Sequence, residues 1–162
     1  MGATSMRTTS ANSAFSGSVV NFPLAHANLL VIEPNHSWRP EVLKRLEALR
    51  DLKSGWDGYQ AQPVALANIV FALNMLESTC PTEIPAPQIV PGVDGDLQIE
   101  WHTLKGDVEL HVVTPNRVRG WRSIAGPTPR EDELELTIEF SAVAAWVREI
   151  TEQPRALTIA AA

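Results

Sequence analysis

The chain has 162 residues, with 13 Lys and Arg, 19 Asp and Glu, four His and one Cys. Its formal charge of −6 works against non-specific attraction to nucleic acid or to an anionic membrane surface. A single cysteine forms neither an internal disulfide nor a thiolate zinc site, so a reducing cytoplasm is the expected compartment.

No apolar run approaches the roughly 20 residues of a membrane helix, and no basic stretch leads into an apolar one as in a secretory leader. Residues 1–18 are small and polar without period and are expected to be a disordered tail. A single α+β domain is expected over 19–153, followed by a flexible tail, 154–162. Val19 to Phe22 and Leu29 to Ile32 are short apolar runs that read as strands, with Pro23 between them.

From Trp38 to Leu52 the spacing predicts a helix, with Trp38, Val42, Leu46, Leu49 and Leu52 inward, Ser37 as N-cap and Pro40 in the first turn. Gly55-Trp56-Asp57-Gly58-Tyr59 reads as a turn. Pro63 is expected to open a second helix ending near Glu77. Its main stripe is Leu66, Ile69, Val70, Leu73 and Leu76, and Val64, Phe71 and Met75 make the opposite side apolar too. A helix apolar on both sides is either buried in a core or covered by a partner.

Four prolines from Pro81 to Pro91 make a stiff, extended link with an edge strand near Ile89. Asp94-Gly95 is a turn signal, and a hairpin follows. Leu97, Ile99 and Trp101 alternate with polar residues, as do Val108, Leu110 and Val112. A turn centred on Lys105-Gly106 would set Ile99 opposite Val112 and Trp101 opposite Leu110. On the wet side it would set Glu100 opposite His111 and His102 opposite Glu109. Val118 to Ile124 reads as the next strand, its inward face ambiguous. Leu134, Leu136, Ile138 and Phe140 alternate as a further strand. Ser141 is the expected cap of a last helix, with Val143, Trp146, Val147 and Ile150 inward. The sum is α+β: an antiparallel meander of about 4–6 strands with two or three helices on one face.

Several residues are candidates for function, each with a structural alternative. Trp56 and Tyr59 suit partner anchors, since aromatic residues dominate interface hot spots; otherwise both rings fold back onto the helix pair. Val64, Phe71 and Met75 mark either a docking face or a face covered by a third layer. His102, His111 and Glu100, with Glu109, would converge on one sheet face as metal ligands; otherwise each imidazole has a carboxylate partner across the strands. Arg117, Arg119 and Arg122 around Trp121 could stack on single-stranded nucleic acid; otherwise they pair with Glu133, Glu135 and Glu139. Cys80 lies in no nucleophile signature. There is no phosphate-cradling glycine loop, nucleophile elbow or His-Glu-x-x-His.

Gly55-Trp56-Asp57-Gly58-Tyr59 with Ala61 and Pro63, then Val90-Pro91, Asp94-Gly95 and Glu100-Trp101, resembles a group of small uncharacterised bacterial proteins. The resemblance spans Leu46 to Val113, implies a bacterial and cytoplasmic origin, and carries over no catalytic residue. The expectation is therefore a non-enzymatic interaction module without cofactor, of the antitoxin, immunity or anti-phage defence accessory type. Trp56, Tyr59, Val64, Phe71 and Met75 would bind a protein, either a second copy or the product of a neighbouring gene. The alternatives are a metal-dependent enzyme at His102, His111 and Glu100, and a nucleic-acid-binding regulator at Arg117, Arg119 and Arg122.

Overall fold

The computed structural model describes residues 18–20, 29–31 and 35–152. Apart from Ser18, which begins the first strand, the expected tails lie outside these residues. Contacts divide the chain into two units, Met1–Asn35 and His36–Ala162. In the first unit β1 (Ser18–Val20) pairs antiparallel with β2 (Leu29–Val31), so the described parts of both expected strands are paired, while positions 21, 22 and 32 lie outside the described residues. Among the described residues these two strands pair only with each other, and the helices belong to the second unit.

The second unit runs α1 (Arg39–Arg50), α2 (Leu66–Thr79), β3 (Gln88–Pro91), β4 (Leu97–Thr103), β5 (Gly106–Thr114), β6 (Arg117–Ile124), β7 (Arg130–Leu136) and α3 (Ser141–Thr151). The five strands form an antiparallel meander in sequence order, and the three helices share one core with its inner side. This is the expected α+β class. Inward residues Leu97, Ile99, Trp101, Val108, Leu110 and Val112 are buried, as their alternation predicts.

The register of β4 with β5 differs from expectation by two residues. Leu97 faces Val112, Ile99 faces Leu110 and Trp101 faces Val108. A shift of two keeps every side chain on its expected face but changes each partner. The turn is Leu104-Lys105, and Thr103 pairs with Gly106. Gly106 is needed in the strand, not in the turn. Its φ is +151°, and a Cβ there would overlap the carbonyl oxygen of Ser123 on β6. The Thr103 hydroxyl donates to Gly106 O at 3.0 Å and accepts from Lys105 N at 3.1 Å, which fastens the tight turn.

Helix α2 begins at Leu66, after Pro63. Residues 62–65 lie extended beside 93–95, with Gln62 N donating to Val93 O at 2.8 Å and Ala65 N to Gly95 O at 2.9 Å. Its rotation is set by a buried amide. Asn68 Nδ2 donates to Gly95 O at 3.0 Å and to Val113 O at 3.3 Å. Val113 sits where the β5–β6 register shifts, so its carbonyl is free to accept from the helix. With Asn68 turned inward, Ile69, Ala72, Met75 and Leu76 are buried, whereas Leu66 and Val70 stay 62% and 50% exposed. Periodicity alone had placed Leu66 and Val70 on the inward stripe. The polar Asn68 overrides it, because an unpaired amide in the core costs more than two exposed aliphatic side chains.

Neither expected serine caps its helix. Ser37 Oγ donates to Thr82 O at 2.8 Å, tying the start of α1 to the proline-rich link. At α3 the N-cap position is Phe140, and Glu139 just before it accepts from Ser141 N through Oε1 at 2.7 Å. To reach that position the chain leaves the sheet after Leu136, so the strand expected through Phe140 stops early and Ile138 is exposed. The inward residues of α3 are the four expected: Val143, Trp146, Val147 and Ile150.

Candidate functional site: the uncovered face of the sheet

Among the described residues of the second unit, helices cover one face of the sheet and none covers the other, here called the bare face, whose side chains are placed by register. Three rungs run across β4 to β7. One is Glu100, Glu109, Trp121 and Glu133; the next is Gln98, His111, Arg119 and Glu135; the third is His102, Asp107, Ser123 and Glu131. These three rungs thus hold six carboxylates and one guanidinium. Glu100 and Glu109 stand directly opposite, an arrangement that destabilises an isolated sheet. Among the described residues Glu109, Glu131 and Glu133 take part in no ion pair, and Arg119 reaches Glu135 at 3.5 Å. An open groove of about 520 Å³ follows this face, lined by Gln98, Glu109, His111, Arg119, Trp121 and Glu133 among others. Trp121 is half-buried within it.

The expected metal ligands are held apart by the observed register. His102 Nδ1 lies 2.8 Å from Asp107 and its Nε2 3.2 Å from Glu100. His111 instead bonds Asp96, and it faces Gln98 rather than Glu100. Among the described residues no group of three or more His, Cys, Asp or Glu is arranged to hold a metal ion. In place of one cluster of His102, His111 and Glu100 there are two separate imidazole–carboxylate sets.

Hydrogen bonds to Asp107, then to Glu100, hold the His102 pKa above the ordinary imidazole value. A raised folded pKa stabilises the fold below the unfolded pKa of about 6.5 and loses that contribution as pH rises through the folded value. The urea midpoint is therefore expected to fall with rising pH more in the wild type than in His102→Gln, between about pH 5.5 and about pH 8.5. Parallel profiles would contradict this. At Asp96, burial pushes the carboxyl up, but hydrogen bonds from His111 and from the Asp96 and Asp94 amides outweigh it and leave the pKa lowered.

The three arginines are divided between the two sides of the sheet, Arg117 and Arg119 sharing one parity on β6 and Arg122 having the other. Arg122 points under α3, where its guanidinium lies 4.9 Å from the Trp146 ring centroid and bonds Asp132 at 2.7 Å and Glu149 at 2.5 Å. Arg119 points to the bare face and Arg117 is exposed at the strand start. The expected pairing with Glu135 forms; Glu139 is used at the start of α3 instead.

In the Gly55–Tyr59 turn, Asp57 Oδ1 accepts from Tyr59 N at 2.8 Å and from Ala61 N at 3.2 Å. Gly55 and Gly58 have φ of +74° and +84°, the left-handed conformation that glycine supplies without strain. Trp56 folds back, its Nε1 donating to Gln62 O at 3.0 Å, while Tyr59 projects 86% exposed. Val64 and Met75 are buried in the core, and Phe71 packs edge-on against Phe140 at 6.0 Å. The helix face expected to dock a partner is therefore mostly interior. Cys80 is buried, and burial pushes its thiol up to about 12, which leaves it protonated and unreactive near neutrality.

Sequence reading missed Trp121 and its two flanking glutamates as one cluster. Trp121 and Arg119 do share a face, but Glu109 and Glu133 join them only through the β5–β6 and β6–β7 registers. No family model matches the chain, and neither a curated protein nor a solved structure does.

Proposed function

We propose that the protein is a protein-binding module whose partner presents cationic groups to the bare face of the sheet. One observation carries the reading: a half-buried tryptophan lies in register between two glutamates that have no cation of their own among the described residues. An aromatic face flanked by carboxylates attracts a guanidinium or ammonium by cation–π and ionic contact together. Tryptophan and arginine are also the residue types that most often dominate binding energy at interfaces. A cytoplasmic bacterial accessory protein of the antitoxin, immunity or defence type is the setting we assign to it. No helix among the described residues is long and apolar enough to cross a membrane.

Calorimetric titration with a flexible arginine-rich peptide tests the reading. We expect Trp121→Ala to weaken binding about tenfold, the effect of losing about 1.4 kcal/mol. Val70→Asp, on the exposed side of α2, should bind as wild type does. Phe71→Asp is not a suitable control, because Phe71 packs against Phe140. Equal affinity in Trp121→Ala, or loss in Val70→Asp, would contradict the assignment.

A further inference from the structure

The two edges of the sheet are finished differently. Edge strand β3 has four residues, follows Pro87 and ends at Pro91. Arg45 Nε donates to its Ile89 carbonyl at 2.6 Å, so a side chain of α1 already occupies that edge. Edge strand β7 has seven residues, Arg130–Leu136, with no proline and no register shift against β6. Among the described residues its far side meets no strand. Alternate residues of such a strand aim N–H and C=O away from the sheet, ready to pair.

Charge is what guards β7, and it has one sign on the bare face: Glu131, Glu133 and Glu135. Mixed charge or proline would exclude every incoming strand. A single sign excludes only its like. A second copy aligning β7 with β7 would oppose glutamate to glutamate, which is unfavourable. A strand carrying arginine or lysine at alternate positions would instead meet a carboxylate at each. On the other side of β7, Arg130 and Asp132 are already paired with Glu149 and Arg122, which leaves Leu134, 36% exposed, as the residue that would meet an apolar side chain of the added strand. Trp121 lies two strand spacings from such an added chain, about 10 Å, which an extended arginine and an indole span between them.

Resting on the binding reading above, we propose that the partner segment adds to β7 as a sixth strand, with basic residues alternating on the bare face and apolar residues on the helix side. This mode takes its affinity from main-chain hydrogen bonds and its selectivity from alternate side chains. Three peptides of about nine residues, enough to pair with all of β7, provide the test with the full-length protein. One alternates Arg and Val; one has the same composition scrambled; one has the alternating sequence with every second backbone nitrogen methylated. We expect the alternating peptide to bind at least about tenfold more tightly than either of the others, and Glu133→Lys to remove that advantage. Equal binding of all three, still weakened by Trp121→Ala, would overturn strand addition and leave the docking face standing. Binding of none would overturn both.

Discussion

Gly106→Ala is expected to cost at least about 3 kcal/mol of folding stability, the range reached when backbone is forced into another backbone. The added Cβ would overlap the Ser123 carbonyl and lie 3.0 Å from Ile124 Cα, and no rotamer relieves a clash between main-chain atoms. The φ of +151° adds strain for any L side chain. The Gly106–Ile124 pairing starts the β5–β6 ladder, so relief requires opening that end of the sheet. A urea titration of the purified variant checks it. A loss below about 1 kcal/mol would show that the turn adjusts freely.

Trp146→Ala is expected to cost about 3–5 kcal/mol, the usual range for removing a large buried aromatic side chain. Trp146 is buried on α3 directly over Gly120, where a Cβ would come within 3.3 Å of the indole. Gly120 thus acts as a socket, and the missing side chain on β6 lets the helix approach. The same ring carries the Arg122 guanidinium. Truncation leaves a cavity beside Leu110 and Leu136 and loosens a cation that two carboxylates hold. Thermal unfolding monitored by circular dichroism would register this as a fall of several degrees; an unchanged midpoint would contradict the packing described.

Alternation and helical spacing were enough to read the elements of the second unit. The inward residues of α3 and the buried faces of β4 and β5 followed from period alone, because one side of each is apolar and the other charged. Three things were not legible. The bounds of β7 turned on Glu139, which leaves the alternating pattern to bond Ser141 N. The β4–β5 register turned on whether Gly106 served the turn or the strand, and its reason lies on β6, out of local view. The rotation of α2 turned on Asn68, whose partners Gly95 and Val113 are distant in sequence. Because α2 is apolar nearly all round, its hydrophobic pattern could not choose a face, and one buried amide did.

The candidate site depended on the same registers. With β4 slid by two residues, His102 and His111 looked like neighbours of Glu109 and Glu100, a metal-like patch. In the true register Glu109 and Glu133 flank Trp121 instead. Arg122 looked like one of a basic trio until its strand parity placed it beneath α3. Local pattern gave the residues of β4 and β5 their side of the sheet but left β6 open. Only long-range pairing gave them neighbours, and the neighbours carry the chemistry.

The bare sheet face as the docking surface is tested most directly by backbone amide chemical shifts of isotope-labelled protein during titration with the arginine-rich peptide. The account predicts that the largest shifts fall at Glu109, Trp121 and Glu133, with the Trp121 indole N–H moving alongside them. Shifts concentrated at Leu66 and Val70 on α2, with Trp121 unmoved, would contradict it.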